Sequence, residues 1–528
     1  MNQVTGQPIA RALVHSLDDR YAMFTDGEGH FQFDLPKEET NNAADNLLPT
    51  YPSFARASTI TRIMLQARKP GFVDDPRNPS QVAAFPGTDV TIPLVPEALI
   101  KGRITLSTGD SAERISVQLF SRQVVEGRLR WTPAQIVRTN SAGEFRFAEL
   151  RAGAYKLVTH ESMDNDPIAT VPGGQPYGFP PIYFPGAADF SGAATINLTA
   201  GQEIEADLSL TRQPYYSVHI PVTNAEGGVN ITVEGQKGPG YSLFYNSASE
   251  RIEGSLPNGS YVVRASTFGA DGSTGTASIK VAGAPVEGSP ITLIHNSSIS
   301  LIVTEEFNDP NWLPAGGSFF SDGRRTVSLH GPRTYLNVQA ENADDFAQSR
   351  GGGFMRFPRS DNDDSLVIEN LVPGRYWLRL NPTHGYVASA TASGVDVLRE
   401  PLVIGAGGTV PAEIKMRDDT AELSGSLPAL ANQAEMNDAG SSASPVWIYC
   451  VPLPNGPGQF QRAVAHNATF DIQNMPPGDY RVLAFDHQIE LAYRDAEAMR
   501  AYESKGQVVH LTAGQKASVQ LEIATASE

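Results

Sequence analysis

The sequence predicts an all-β protein, a tandem array of about five immunoglobulin-like β-sandwich domains. The composition combines 48 Gly and 38 Pro with only 19% charged residues, which is typical of many short strands joined by turns. An apolar block with a period of two also returns along the chain at intervals of one domain length. Finally, 528 residues are too many for a single hydrophobic core.

The repeated block is clearest in residues 141–158, "SAGEFRFAELRAGAYKLV". Phe145 and Phe147 alternate with polar residues, and so do Tyr155 and Leu157, so each pair predicts a half-buried strand. Gly153 lies between the pairs and can adopt a positive φ without a Cβ clash. The block therefore predicts a strand, a tight reversal and a second strand with one apolar face.

The block returns in residues 366–378, "LVIENLVPGRYWL", and in residues 470–482, "FDIQNMPPGDYRV". Both copies place a proline before the glycine, which suits the two central positions of a type II turn. Residues 256–263, "LPNGSYVV", give a weaker copy whose preceding strand does not fit. Near the start, "TDGEGHFQF" supplies Phe31 and Phe33 behind a Gly-rich turn.

The spacing of the tyrosines sets the domain division, because Tyr155, Tyr261, Tyr376 and Tyr480 are 106, 115 and 104 residues apart. This period is too long for a solenoid repeat and matches a whole β-sandwich. We predict five units: residues 1–97 (unit one), 98–212 (unit two), 213–298 (unit three), 299–418 (unit four) and 419–528 (unit five). Unit one is expected to lack its first strand, and unit five to carry a short helix in "DAEAMRAYESKG".

Short connections between the units predict a stiff array. Each closing strand passes to the next opening strand without a long Gly/Ser or Pro-rich linker. We therefore expect a monomeric rod. The opening "MNQVTGQPIARALVHS" has no apolar central region and so shows no signal peptide. Because unit one begins with what looks like a turn and a second strand, we expect that the given start lies inside a longer gene product whose lost leader could have held an export signal.

The block Gly-x-Phe-x-Phe-x-x-Leu-x-x-Gly-x-Tyr-x-Leu resembles the carboxypeptidase regulatory-like domain of bacterial secreted proteins, a transthyretin- or prealbumin-like β-sandwich. Units two and five match best, unit four matches well, and units one and three match loosely. On this resemblance units one, two and five are such domains, unit three is a divergent sandwich and unit four a sandwich. The resemblance implies extracytoplasmic, non-catalytic modules, a group that includes carbohydrate-binding-like folds.

The tyrosine of the block has a physical role of its own. It follows a tight turn, so its ring can fill the core while its hydroxyl bonds nearby backbone, as in the tyrosine corner of Greek-key sandwiches. Cys450, in "VWIYCVPL", alternates within an apolar strand and is predicted to be buried. A lone cysteine forms no internal disulfide.

The charge excludes some partners, because a net charge of −18 without a basic patch repels nucleic acid and anionic lipid. No apolar run reaches the length of a membrane span, so membrane insertion is not expected.

The segment "HQIE" (487–490) has a zinc-ligand spacing, but only 38 residues follow it and they hold one histidine, His510. We predict no catalytic residues, no metal and no cofactor. The acidic stretches 163–167 and 360–365 are interpreted as solvated loops rather than calcium sites.

Four aromatic residues in or near loops are weak ligand-binding candidates, since their rings could stack on sugars: Trp131, Tyr177, Tyr183 and Trp312. Ordinary packing is the alternative. The sequence as a whole predicts a non-catalytic extracytoplasmic scaffold or adhesion-type binding array at the cell envelope. Its partner would be an unknown envelope protein or polysaccharide. The alternatives are a carbohydrate-binding accessory protein and, more distantly, an enzyme with a site at a domain junction.

Overall fold

The computed structural model describes most of the chain: residues 1–34, 63–74, 81–84, 87, 89–164, 174–234, 240–267, 271–308, 312, 319–321, 326–328, 331–344, 346, 352–360, 363–428, 445–453, 458–465 and 468–524. These residues form small sheets of antiparallel and parallel strands with very little helix. The prediction of an all-β array is confirmed. No helix in the described ranges is long and apolar enough to cross a membrane.

Unit one contains β1 (Leu13–Ser16), β2 (Ala22–Phe24), β3 (Ile63–Arg68), β4 (Phe72–Val73), β5 (Gln81–Ala84) and β6 (Val95–Pro96). One sheet has the order β2-β1-β3-β5, and β4 pairs with β6. Unit two contains β7 (Ala98–Leu106), β8 (Ser116–Val125), β9 (Arg128–Arg138), β10 (Glu144–Leu150), β11 (Gly153–Thr159), β12 (Ser162–Met163), β13 (Tyr177–Phe179), β14 (Ile196–Leu198), β15 (Glu203–Glu205) and β16 (Leu208–Leu210). Its two sheets have the orders β10-β7-β15, with β16 also beside β7, and β14-β11-β8-β9.

Unit three contains β17 (Gln213–Thr223), β18 (Val229–Val233), β19 (Leu243–Asn246), β20 (Arg251–Pro257), β21 (Gly259–Thr267), β22 (Ser273–Val281), β23 (Val286–Glu287), β24 (Ile291–Thr292) and β25 (Ile294–His295). One sheet has the order β12-β13-β17-β20-β19, with β23 and β24 also beside β17, and the other β18-β21-β22-β25. Because β12 and β13 come from unit two, hydrogen-bonded strands cross the predicted border at residue 212.

Unit four contains β26 (Ser297–Glu306), β27 (Phe319–Ser321), β28 (Thr326–Ser328), a 3-10 turn (Gly331–Thr334), β29 (Leu336–Asn342), β30 (Gly353–Phe354), β31 (Leu366–Leu371), β32 (Gly374–Pro382), β33 (Tyr386–Ala392), β34 (Val395–Asp396), β35 (Leu402–Ile404) and β36 (Thr409–Arg417). Its main sheets have the orders β31-β26-β36-β33-β34 and β30-β29-β32-β35, and β27 pairs with β28.

Unit five contains β37 (Ala421–Ser426), β38 (Val446–Pro452), β39 (Gln461–Ala465), β40 (Thr469–Met475), β41 (Gly478–Phe485), α1 (Ala496–Met499), a 3-10 turn (Arg500–Tyr502), β42 (Gln507–Leu511) and β43 (Lys516–Gln520). Its sheets have the orders β40-β37-β43 and β39-β38-β41-β42. The predicted helix begins as expected, because the Asp495 side chain accepts hydrogen bonds from the backbone N–H groups of Glu497 and Ala498. Its α-helical part is a single turn, which the 3-10 turn continues.

Units two to five share a plan in which the first strand pairs in parallel with strands at or near the end of the unit: β7 with β15 and β16, β17 with β23 and β24, β26 with β36, and β37 with β43. Five large buried clusters follow the same division, since each draws its residues from one predicted unit. The division into five separately folding domains stays a prediction, and these clusters are the physical basis for it.

The tyrosine of the block packs in the core and bonds nearby backbone, as its position after the turn predicts. Tyr155, Tyr376 and Tyr480 are buried, and Tyr261 is half-buried. Each hydroxyl donates a hydrogen bond of 2.7 to 2.9 Å to the carbonyl oxygen four residues earlier. The tyrosine thus closes the core and satisfies its own polar atom in the same place.

The turn of the block differs from the prediction. In unit two, β10 and β11 belong to different sheets, so the segment between them crosses the sandwich and does not form a tight reversal. The glycine does adopt a positive φ in units two and five, 159° at Gly153 and 149° at Gly478, while the αL conformation is found at the residue before the buried Leu or Met: Glu149, Asn370 or Asn474, with φ of 57°, 64° and 59°. Each lies where the strand register shifts, which marks a β-bulge.

In unit three the glycine of the block also has a steric role. At Gly259 an added Cβ would lie 2.7 Å from the Tyr261 hydroxyl, so the missing side chain leaves room for the ring. Unit three is the weaker copy because β20 pairs with β17 without a register shift. Without the bulge residue, its alternation is offset by one position, and Ile252 and Leu256 face the core.

The left-handed position of unit two leads to a stability prediction. Glu149 is exposed and adopts φ 57°, whereas units four and five carry asparagine there. Asparagine tolerates this region better than glutamate, so we expect Glu149→Asn to stabilise unit two by about 0.5 kcal/mol. Calorimetry of the full chain would measure the shift. Glu149→Gln, which removes the charge alone, should leave the transition unchanged, and an equal gain from both variants would contradict the backbone explanation.

The predicted rod is wrong. Trp131 of unit two forms a β-bridge with Phe346 of unit four, and the Arg494 N–H of unit five donates to the Gly127 carbonyl oxygen of unit two at 2.8 Å. In a straight rod unit two would contact only its neighbours in sequence. The array therefore folds back, so that units two, four and five meet. The short connections between units restrict only how successive units are placed, so they do not exclude contacts between units two, four and five.

Candidate functional site

The place where units two, four and five meet, which we call the junction, is built by an overhanging hairpin. Strands β8 and β9 have 10 and 11 residues, whereas β38 and β39 of unit five have 7 and 5. Glu126 and Gly127 connect β8 to β9, and both adopt positive φ, 52° and 74°. This two-residue turn matches the right-handed twist of long antiparallel strands. The hairpin therefore extends beyond its own sandwich, and its tip reaches the other units.

Four charged side chains of the junction form an alternating chain. Glu126 Oε1 is 2.6 Å from Arg379 Nη1, and that nitrogen is 3.5 Å from Glu341 Oε1. The other oxygen of Glu341 is 3.8 Å from Arg130 Nη2. Only 7% of Arg130 is exposed, so its charge needs this carboxylate. The chain joins the hairpin of unit two to the outer face of β29 and β32.

Arg128 packs beside this chain, with its guanidinium carbon 3.6 Å from the centroid of the Trp377 ring. A cation over an indole face is a favourable electrostatic contact. Burial, together with the charges of Arg494 and Arg130, lowers the pKa of Arg128 to about 10, so it stays charged at neutral pH. Its Nη1 is buried and has no hydrogen-bond partner among the described residues.

Unit five contacts the turn itself. The Arg494 N–H bonds the Gly127 carbonyl oxygen, and the Tyr493 ring lies against the Gly127 Cα. An added Cβ on Gly127 would be 2.3 Å from Tyr493 Cε1, so a side chain at this position would displace the Tyr493 ring, and the φ of 74° also favours glycine. The tip of the hairpin is therefore shaped for this contact.

An aromatic cluster completes the junction below the hairpin. The Phe346 ring of unit four lies 5.3 Å from Phe120 and 5.6 Å from Phe190 of unit two, both edge-on. Trp131 contacts Phe190 at 5.8 Å. The Lys156 ammonium bonds the Phe190 carbonyl oxygen at 2.9 Å and lies 4.6 Å from that ring. Unit four thus inserts one apolar side chain into the outer face of unit two.

Two of the four predicted ligand-binding residues, Trp131 and Tyr183, lie together in this cluster. Trp131 is 8% exposed and Tyr183 is 1% exposed. Stacking on a sugar requires an open ring face, and burial in this arrangement leaves neither ring with one. Their packing is therefore structural in the folded-back array.

The other two candidates lie apart from each other and from the junction. Tyr177 is half-buried, with the Arg212 guanidinium 4.0 Å above its ring. Trp312 is half-buried and stacks on His384 at 3.7 Å. Because part of each residue stays exposed, ligand binding by Tyr177 and Trp312 stays a prediction.

The acidic loops hold their carboxylates in ion pairs. Asp363 Oδ2 is 2.6 Å from Arg356 Nη1 and accepts from the Arg359 N–H at 2.8 Å, and these bonds hold the pKa of Asp363 well below its usual range. Asp164 is 2.6 Å from Arg212 Nε. Residues 165–167 and 361–362 lie outside the described residues. Within the described ranges, no three His, Cys, Asp or Glu residues are arranged to hold a metal ion.

The outer faces of the first and last strands carry a recurring charge pair that the sequence analysis missed. The pairs are Lys101–Glu203 in unit two, Lys415–Glu306 at 2.9 Å in unit four and Lys516–Glu422 at 2.7 Å in unit five. Unit three places His219 Nδ1 3.2 Å from Glu287 in the same position. These pairs could have been predicted from the sequence, because the opening and closing strands carry opposite charges at their outward-facing positions. Exposed pairs of this kind stabilise little, so they mark polar, solvated faces.

The fold is that of a tandem array of immunoglobulin-like β-sandwiches. No family model matches the sequence, and no curated protein matches it. Among solved structures, it is similar to the Bacillus anthracis TIE protein at 9% identity, over 80% of this chain and 73% of that chain, with a TM-score of 0.15. It is also similar to the full-length RrgB pilus protein of Streptococcus pneumoniae, at 10% identity, 82% and 98% coverage and a TM-score of 0.14.

A third similar structure contains two B repeat units of the collagen-binding protein of Staphylococcus aureus, at 10% identity. The match covers 74% of this chain and 92% of that chain, with a TM-score of 0.14. At TM-scores this low, the similarities carry no conclusion about what the chain binds.

Proposed function

We propose that the chain is a non-catalytic scaffold or adhesion-type binding array that acts outside the cytoplasm. The observation that carries this proposal is that the aromatic residues of the block lie inside the units while charged residues cover the outer strand faces. The four block tyrosines are used for packing and for backbone hydrogen bonds, while the outer faces of the opening and closing strands carry paired charges. Solvated faces on a set of fixed modules suit a surface that presents binding sites rather than one that encloses a substrate.

The block supports two further parts of the proposal. Units one, two and five resemble the carboxypeptidase regulatory-like domains in sequence, unit one only loosely, and this resemblance supports a secreted or envelope location. The partner would be an envelope protein or a polysaccharide. Carbohydrate binding is the second candidate, because Tyr177 and Trp312 keep part of their surface exposed.

A glycan array probed with the purified chain separates the two candidates. If the chain is a carbohydrate-binding accessory protein, we expect retention on a defined polysaccharide that Tyr177→Ala or Trp312→Ala reduces at least tenfold. If it is a protein-binding scaffold, we expect no glycan signal and recovery of an envelope protein by pull-down. Tyr216→Ala, at a half-buried tyrosine of unit three, is the matched control. Glycan retention that neither variant reduces would contradict the assignment of these rings.

Recovery of the full-length product from the cytoplasm of the source cell would contradict the proposed location. Fractionation with an antibody against the chain is the direct measurement.

A further inference from the structure

We propose that the tip of the β8–β9 hairpin, residues 125–130, is a clasp that holds the array in a closed, folded-back state, and that its release lets the array extend. The clasp contacts units four and five through side chains and backbone that do not belong to the core of any unit. Opening it therefore changes the arrangement of the units and leaves each unit folded.

The first support is the specificity of the contact. Four interactions of different kinds converge on three consecutive residues: the Glu126–Arg379 ion pair, the Arg128–Trp377 stack, the Gly127 carbonyl bond and the Gly127–Tyr493 contact. Two of these involve unit four and two involve unit five. Gly127 also leaves the room that the Tyr493 ring occupies, because an added Cβ would lie 2.3 Å from Tyr493 Cε1.

The second support is the polar and partly exposed character of the contact. The side chains of Glu126 and Arg379 are 36% and 30% exposed, so water already reaches their ion pair. Pairs of this kind are weak and sensitive to salt. The cores of units two, four and five are apolar and separate. The clasp itself is therefore a polar contact, of the kind that allows domains to move relative to one another.

The third support is the side chain that the closed state covers. Phe346 lies against Phe120 and Phe190 and is 5% exposed, although it belongs to unit four and those rings belong to unit two. Opening would bring the ring of Phe346 and the outer face of Trp131 to the surface. The closed state therefore buries an apolar surface between units in addition to the clasp.

Small-angle X-ray scattering of the full chain tests the clasp through a charge exchange. Glu126→Arg and Arg379→Glu each place like charges opposite one another, so each should open the array. We expect the maximum dimension to increase by about 30 Å, the length of one sandwich with strands of about ten residues. The double variant Glu126→Arg/Arg379→Glu restores opposite charges and should return the dimension to that of the parent.

Two controls keep the test decisive. Glu144→Arg breaks the 2.7 Å pair with Arg103 on the outer face of unit two, away from the junction, and should not change the scattering. Calorimetry of each variant checks that all transitions remain, which separates opening from unfolding. Scattering from both single variants that matches the parent would overturn the proposal, and so would a double variant as extended as the singles.

Discussion

Replacing Gly102 with alanine should destabilise unit two by about 3 kcal/mol, the upper range for forcing an extra group into a packed interior. Gly102 lies in β7, and an added Cβ would be 2.3 Å from the Ala206 carbonyl oxygen and 2.7 Å from Phe145 Cζ. The oxygen belongs to backbone and cannot turn away. Calorimetry of the full chain should show one transition moved to lower temperature.

Gly186→Ala is the matched control in the same unit, because no atom lies within 4 Å of a Cβ at Gly186. It should leave the transition in place. An equal shift from both variants would mean that the strand separation at Gly102 adjusts easily, and the close contact between β7 and Phe145 would then have no energetic role.

Replacing Tyr480 with alanine should destabilise unit five by about 4 kcal/mol, because the ring is fully buried in the core and the pocket cannot collapse completely. Tyr480→Phe should cost about 1 kcal/mol, since it keeps the ring and removes the hydroxyl. That hydroxyl donates to the Pro476 carbonyl oxygen at 2.7 Å and accepts from the Gln459 N–H at 3.3 Å.

The thiol of Cys450 is a built-in reporter for this measurement. It is 0% exposed in the core of unit five, and burial raises its pKa to about 12, so a thiol reagent at pH 8 reacts only when the unit opens. A loss of about 4 kcal/mol corresponds to labelling that is about a thousandfold faster, at tenfold per 1.4 kcal/mol. Tyr376→Ala, in unit four, should leave Cys450 labelling unchanged. Equal acceleration by both variants would contradict separate cores.

The sequence predicted the elements of the fold well because burial repeats with the strand period. The positions of Phe145, Phe147, Tyr155 and Leu157 follow from alternation alone, and all four are buried. The turn between them was predicted less well. A glycine between two strand-like runs indicates a reversal in isolation, but here the two strands belong to different sheets, and the αL conformation is found at the bulge residue Glu149. Local turn chemistry does not say which sheet a strand will join.

The junction was beyond prediction for a related reason. Glu126 and Arg379 are far apart in sequence, and the local pattern around each predicts only an ordinary exposed charge. The rod was predicted from the short connections between successive units. Such connections restrict how neighbouring units are placed, but they do not restrict contacts between units that are distant in sequence. One signal was available: "VVEGRLRW" places Glu-Gly between two strand-like runs, which is typical of a two-residue hairpin. The length of this hairpin and its contacts with units four and five depend on the tertiary structure, which local sequence patterns do not indicate.

The parallel pairing of first and last strands decides how the array responds to tension. A pull on the two ends of a unit acts along both terminal strands, so the hydrogen bonds between them are loaded in shear, all together instead of one after another. Nine residue pairs join β26 to β36, and five join β37 to β43. Unit three has only four such pairs, split between β23 and β24. Among units two to five, unit three is therefore the one expected to yield first under load.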